Sequence, residues 1–351
     1  MHRRTSSSAT TGRKKEHVEI ALRKDVAFRT KRTGLEELEF VHNALPELDL
    51  SEIDTSAEFL GKRLSLPLLI SCMTGGYAEA GTINRSLAEV CEELGIALGV
   101  GSQRQALENR TYHRTFSIVR DAAPTIPIIG NIGAAEVARM KSADDARRLV
   151  ELIRADGFAV HLNPLQEFLQ PEGNTRFRGV LNGIGMLARE LPVPVIVKEV
   201  GAGISPEVAR RLLDAGVSVI DVAGAGGTSW AGVEAIRSRN GEFARRFWDW
   251  GIPTAEAVSS VARLKTERRK FTLIASGGIR SGFDVAKCIA LGADLAASAR
   301  PVLTALEKRG TRGGLTLLQS WASELRGIMF LTGSANIDAL HKAPLVRERP
   351  A

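Results

Sequence analysis

The sequence predicts a (β/α)8 TIM barrel, one domain over residues 33–351, behind a basic N-terminal arm of residues 1–32. Three observations predict it. Eight short apolar, β-branched runs recur from residue 66 onward, amphipathic stretches separate them, and each run ends in glycines and polar residues. Strands alternating with helical patterns make βαβ units and a parallel sheet, and eight repeats favour closure. An open doubly wound sheet is the alternative on the alternation alone.

In chain order, the run at 66–72 exits into MTGG (73–76), and a helical stretch at 84–94 leads to the second run, 96–100, and its exit GSQR (101–104). The run at 126–130 exits through GNIG (130–133), and a helix at 143–153 precedes the run at 158–162, which ends in HLNPLQE (161–167). The run at 195–198 exits into KEVGAGIS (198–205), and a helix at 206–215 leads to the run at 217–222 and AGAGGTSW (223–230). The runs at 272–275 and 293–298 exit into SGGIRSG (276–282) and SARP (298–301), with a helix at 283–291 between them. All eight exits gather at one end, the face where barrel enzymes place their sites. Residues 230–253, with the stretch RRFWDW, are too long for an ordinary barrel loop and read as a lid or interface insertion.

Composition narrows the class. The chain is 44% hydrophobic and 25% charged, ordinary for a globular protein with a large core. Cys72, Cys91 and Cys288 lie far apart and form no ligand spacing, so neither a disulfide framework nor a zinc site is expected; the location expected is cytoplasmic. No apolar run has the length of a membrane span. The arm holds ten Lys/Arg against three Asp/Glu, and the remainder carries 37 of each sign. The whole excess of +7 therefore sits on the arm, as a solvated tail, a nucleic-acid or membrane contact, or a cover for an anion site. Its Ser/Thr-rich residues 6–11 read as disordered.

The exits carry chemistry. SGGIRSG before a helix, with SARP one strand later, places glycine N–H groups, a helix N-terminus, Arg280 and Arg300 at the usual phosphate loops of these barrels. Lys198 shares parity with Ile196, and points into the barrel mouth if Val197 packs on the helices. There it is a Schiff-base lysine, a fixed positive charge, or the partner of an inward carboxylate. Thr74, Gly75, Asn131 and Thr228 line other exits, a set that suits FMN and, almost equally, a sugar phosphate. His161 and Asn163 share inward parity with Ala159, Pro164 stops the strand, and Gln166 and Glu167 follow on the loop. One carboxylate among amides suits Mg²⁺ when a phosphorylated substrate supplies further oxygens.

Together these stretches, with GRKKEHVEIAL (12–22), WGIPT (250–254) and GFDVAKCIALGAD (282–294), closely resemble the type 2, FMN-dependent isopentenyl diphosphate isomerases, in the family's order from residue 12 to about 301. The resemblance implies reduced FMN, Mg²⁺, NAD(P)H as reductant, and redox-neutral interconversion of isopentenyl and dimethylallyl diphosphate. It implies that Met73, Thr74, Gly75, Ser102, Asn131, Lys198 and Thr228 contact the flavin, and that Gly278, Ile279, Arg280, Ala299 and Arg300 hold its phosphate. Arg13, Lys14, His17, Ser102, Gln103 and Arg104 would bind the substrate diphosphate; Gln166, with His161 and Asn163, would act at its reacting end, and Glu167 would hold Mg²⁺. The arm becomes a flap over two phosphates, and a homo-oligomer, tetramer or octamer, is expected, with no nucleic-acid or membrane partner. An FMN-dependent 2-hydroxy acid oxidase is the rival enzyme, but it needs a histidine and an arginine after the sixth strand, where AGAGGTSW has neither. Nucleic-acid binding through residues 1–32 is the rival from another class, and it leaves the barrel mouth unexplained.

Overall fold

The computed structural model describes residues 7–238, 241–266 and 269–347, with side chains from residue 12. Eight parallel strands close into a barrel: β1 (Leu68–Ile70), β2 (Ala97–Gly99), β3 (Ile128–Gly133), β4 (Gly157–His161), β5 (Val195–Lys198), β6 (Val219–Asp221), β7 (Thr272–Ser276) and β8 (Leu295–Ser298). Each lies within a predicted run or overlaps it by several residues. Closure rules out the open sheet.

Alternation sorts the side chains. Leu69, Ala97, Ile129, Ala159, Ile196, Val219, Ile274 and Leu295 fill the barrel, while their neighbours pack on the surrounding helices. A hairpin, Ala57–Phe59 with Lys62–Leu64, inserts Phe59 and Leu64 into the same inner cluster and plugs the N-terminal end. The cavity can therefore open only at the strands' C-terminal end.

The N-terminal arm is mostly a helix, Ser7–Arg23, so residues 7–11 are helical where disorder was expected; residues 1–6 lie outside the described residues. The insertion at 230–253 holds this arm. It contains helices Trp230–Arg237 and Gly241–Arg245, and after them Trp248 Nε1 donates to Ala27 O at 2.8 Å while the Asp249 carboxylate accepts from Arg29 N at 2.8 Å. The Arg29 guanidinium stacks 3.9 Å from the Trp248 ring. No helix among the described residues is long and apolar enough to cross a membrane.

Candidate active site

One layer above the apolar barrel core, the inward positions turn polar: Asn131, His161, Lys198, Asp221 and Ser276 stand two residues beyond Ile129, Ala159, Ile196, Val219 and Ile274. Register sets His161 beside Lys198 and Lys198 beside Asp221 on three successive strands. His161 Nδ1 lies 3.0 Å from Asn131 Oδ1. An amide oxygen can only accept, so Nδ1 carries the proton and Nε2 is left as an acceptor. Burial above all, then the charges of Lys198 and Lys14, push the imidazole down to about 3. His161 is thus a neutral hydrogen-bonding group at working pH, which narrows the acid–base part expected of it. Lys198 is buried, with Nζ donating to Glu199 O at 2.5 Å.

The wall after β4 departs from expectation in its backbone. Pro164 ends the strand but opens a helix, Pro164–Leu169, because its fixed φ and missing N–H suit a first helical position. Gln166 and Glu167 therefore sit on a helical turn rather than a loop. Asn163 Nδ2 donates to Gln166 Oε1 at 3.0 Å and Glu167 Oε1 at 3.1 Å, and Glu167 Oε2 accepts from Asn174 N at 2.5 Å. With its oxygen occupied, Gln166 keeps its NH2 for other partners. Asn163 Oδ1 and Gln170 Nε2 are buried with no hydrogen-bond partner, and both residues line the cavity. Such orphans call for a polar ligand.

At the opposite side the exits of β6 and β7 touch backbone to backbone. Gly277 and Gly278 have φ of +101° and +79°; a Cβ on Gly277 would lie 2.0 Å from Gly224 O. The helix Arg300–Leu331 starts beside this seam. Arg280 Nη2 donates to Gly226 O at 3.1 Å and Arg300 Nη2 to Lys24 O at 3.0 Å, so neutral carbonyls hold both guanidinium groups and their charge remains for an anion. The Ile279 side chain is in the core, leaving only its backbone for a ligand.

The N-terminal helix roofs the opening. Val18, Ala21 and Leu22 line the cavity from above, while Arg13, Lys14 and His17 line its mouth. Lys14 Nζ donates to Gly75 O at 2.9 Å and Ser102 O at 2.6 Å, leaving one N–H. Burial, then Arg13 and Arg104, push its ammonium down to about 7. Arg104 pairs with Glu108 at 3.4 Å and Glu136 at 3.3 Å. His17 Nε2 lies 2.9 Å from the buried Glu234, and Arg237 bridges Glu234, Glu16 and Glu172, tying the helix to the insertion.

These walls enclose a cavity of about 630 Å³, within the ~300–1,000 Å³ common for cofactor sites. Every site residue expected from the sequence lines it except Gln103. Gln103 is a correction: its side chain is fully buried, donating to Leu149 O at 3.0 Å and accepting from Asn131 N at 3.0 Å, so it braces Asn131 and cannot meet a substrate. A flavin mononucleotide fits what remains. The glycine seam is a cradle that side chains would fill, the Arg280–Arg300 end would suit a phosphate, and Lys198 and Asn131 could supply donors at the floor. A divalent cation fits only with help. Among the described residues no three His, Cys, Asp or Glu cluster, so Glu167 and the orphaned Asn163 oxygen would need ligand oxygens to complete a shell.

Sequence reasoning missed several residues here. Asp221 and Ser276 have the inward parity that identified Lys198, which was the available signal. Gln170 follows Gln166 by one helical turn, a relation invisible while the segment read as a loop. Glu199 was also missed, but its carboxylate is turned into the backbone N–H groups of Val200, Gly201 and Ala202 and away from chemistry; burial raises it to about 7.

Comparison with known proteins adds the family. The FMN-dependent dehydrogenase family matches residues 7–150 and 162–347. Curated relatives named isopentenyl-diphosphate delta-isomerase include those of Pelodictyon phaeoclathratiforme, 51% identical over 97% of this chain and 98% of its own, and Chlorobium limicola, 51% identical over 98% of each. The Nostoc relative of the same name is 48% identical over 98% of each chain. Among solved structures, a lactate oxidase from Pediococcus acidilactici superposes with TM-score 0.69 at 16% identity, covering 99% of this chain and 95% of that one. A mandelate oxidase with (S)-2-phenylpropionate gives 0.67 at 19%, covering 95% and 94%. At those identities the oxidases share the fold alone.

Proposed function

Since this chain belongs to the isopentenyl-diphosphate delta-isomerases within the FMN-dependent dehydrogenase family, we propose that it is an FMN-dependent isomerase that interconverts isopentenyl and dimethylallyl diphosphate without net redox change, with Mg²⁺ bridging protein and substrate. The observation that carries this reading is a cavity with two cationic poles, Arg280 with Arg300 at one side and Arg13 with Lys14 and Arg104 at the mouth, beneath an apolar roof. One pole suits a cofactor phosphate and the other a substrate diphosphate, while Val18, Ala21 and Leu22 suit a short hydrocarbon. The β6 exit, Ala223 to Thr228, offers no histidine or arginine, which removes support for a 2-hydroxy acid oxidase.

When bound, reduced FMN would supply the acid and base of an allylic proton shift. The chain's own residues do the rest. Lys198 places positive charge where the flavin's pyrimidine edge would carry negative charge. Met73, Thr74, Gly75, Ser102, Asn131 and Thr228 would orient the ring of a bound flavin. Gln166, its oxygen fixed by Asn163, presents an NH2 that positions the alkene end, and neutral His161 offers Nε2 as an acceptor. The roof excludes water that would trap a cationic intermediate. NAD(P)H is the proposed reductant and the cytoplasm the proposed location. Anaerobic incubation of isopentenyl diphosphate with protein, Mg²⁺ and reduced FMN should give dimethylallyl diphosphate, and oxidised FMN should not. No conversion with reduced FMN would remove the assignment.

Two substitutions test the poles. Arg13→Ala should raise KM for the substrate by about tenfold or more with little change in kcat, as expected for lost charge-assisted bonds worth ~1.5–3 kcal/mol; equal KM values would free Arg13 of this role. Glu167→Gln should raise the Mg²⁺ concentration for half-maximal rate by about tenfold, which a titration of rate against Mg²⁺ checks.

Lys14 adds a pH signature. Its cationic form binds a diphosphate and dominates only below its depressed pKa of about 7, so affinity should fall as pH rises through 7 to 9, with proton uptake on binding. Lys14→Gln should lose that slope in calorimetric titrations; an unchanged slope would assign it to another group.

An aromatic cluster, the exposed Phe168, Phe243 and Trp250 around the half-buried Phe247, lies on the insertion and the adjoining helix, with neighbouring ring centroids 5.3–6.1 Å apart. We propose it as the contact between copies in a tetramer or octamer. Of the arm's ten Lys/Arg, Arg13 and Lys14 line the cavity, which favours an anion cover over a nucleic-acid contact at that part of the arm.

A further inference from the structure

We infer that Asp221 is a positioning residue, a buried counter-charge beside Lys198 that sets how strongly the cavity floor stabilises negative charge on the bound flavin. The inference rests on the FMN reading above. Asp221 stands in register with Lys198 on the adjacent strand, takes the same inward face, and is 1% exposed. Two hydrogen bonds reach it, from Ser276 Oγ at 2.5 Å and Ala223 N at 3.2 Å, and both end on Oδ1.

That geometry does not require a charge. An asparagine oxygen would accept both bonds, and burying a carboxylate is costly. No ion pair recovers that cost, because Lys198 Nζ donates to Glu199 O and forms no salt bridge with Asp221 among the described residues. Burial raises the Asp221 carboxyl above the ordinary carboxylate range, while Lys198 and then the bonds from Ser276 and Ala223 lower it, so its charged form leans on that neighbouring cation and acts on the cavity through space. Its field reaches the cavity wall: the Cys72 thiol, which lines the cavity and is raised to about 11 mainly by burial, is lowered by Lys198 and raised by Asp221. Whatever rests on this floor feels the same opposed pair. Lys198 favours an anionic reduced flavin and Asp221 limits that preference, keeping the reduced cofactor from becoming too weak a base.

The test is the midpoint potential of FMN bound to Asp221→Asn, which keeps the accepting oxygen and removes the charge. Reduced FMN should bind about tenfold more tightly relative to oxidised FMN than in the parent protein, a potential rise of about 30 mV. Ser276→Ala, which withdraws a hydrogen bond that favours the charged carboxylate, should shift Asp221 toward its neutral form and raise the potential in the same direction. A folded, FMN-loaded Asp221→Asn with an unchanged or lowered potential overturns the inference. If that variant does not retain FMN, Ser276→Ala decides: a higher potential supports the inference and an unchanged or lower one overturns it. Neither reading uses the isoprenoid substrate, so failure here is distinct from failure to isomerise.

Discussion

Lys198→Met should lower turnover by about 10²–10³-fold, the scale of removing one preorganised electrostatic donor from an enclosed site. Met is close in volume and keeps the packing between β4 and β6, so the loss reports charge rather than shape. The same substitution removes the cation that offsets the burial of the Asp221 carboxylate, although no ion pair is broken. The single variant should therefore lose thermal stability as well as rate. Lys198→Met combined with Asp221→Asn should regain most of the stability and none of the rate. Rate recovery in the double variant would mean that Lys198 serves the fold alone. A covalent Schiff-base role is separable too: borohydride with a carbonyl compound should leave the parent protein unlabelled.

Gly277→Ala should abolish retention of FMN, with an affinity loss of at least about a hundredfold. The strain of φ +101° costs roughly 1–3 kcal/mol in a residue with a Cβ. Collision costs more: the new atom would lie 2.0 Å from Gly224 O and 2.6 Å from Gly224 N, both backbone atoms that cannot rotate away. Relief requires the β6 and β7 exits to part, and that opens the cradle proposed for the phosphate. Gly61→Ala is the control. Gly61 has φ +74°, but nothing lies within 4 Å of its added Cβ, and it sits at the plugged end of the barrel. It should cost about 1–2 kcal/mol of stability and leave FMN affinity unchanged. Equal FMN affinity in both variants would refute the cradle.

What was legible in the sequence follows from periodicity. A strand's period of two placed Lys198 and His161 on the inward face, because each continues a run whose inner positions are apolar, while Asn131 was legible only as a polar residue at a strand exit. The same rule applied to Asp221, yet its significance depends on standing beside Lys198, and register between strands is a property of the closed barrel. Gln103 shows where the rule ends. Past the last residue of β2 the chain turns, and its side chain faces Leu149 and Asn131 instead of the mouth. Pro164 does break the strand, but a proline that ends a strand can also open a helix, and the local residues alone do not distinguish the two. The helix from Ser7 was hidden for another reason. Its apolar anchor Ile20, with Val26 just beyond the helix, packs on Val233 and Trp230, more than two hundred residues away. Charge asymmetry identified the arm as a candidate anion cover, and only the contacts of Trp248 and Asp249 with residues 27–31 show how it is held.

The central claim, an allylic proton shift on a reduced flavin without net redox change, is tested by one anaerobic experiment in D₂O. Isopentenyl diphosphate, Mg²⁺ and protein carrying stoichiometric reduced FMN are followed by NMR and flavin absorbance together. Many turnovers to dimethylallyl diphosphate are expected, with deuterium entering the new methyl group and a flavin that stays reduced throughout. Flavin oxidation in step with product, or product without solvent deuterium, would contradict that claim.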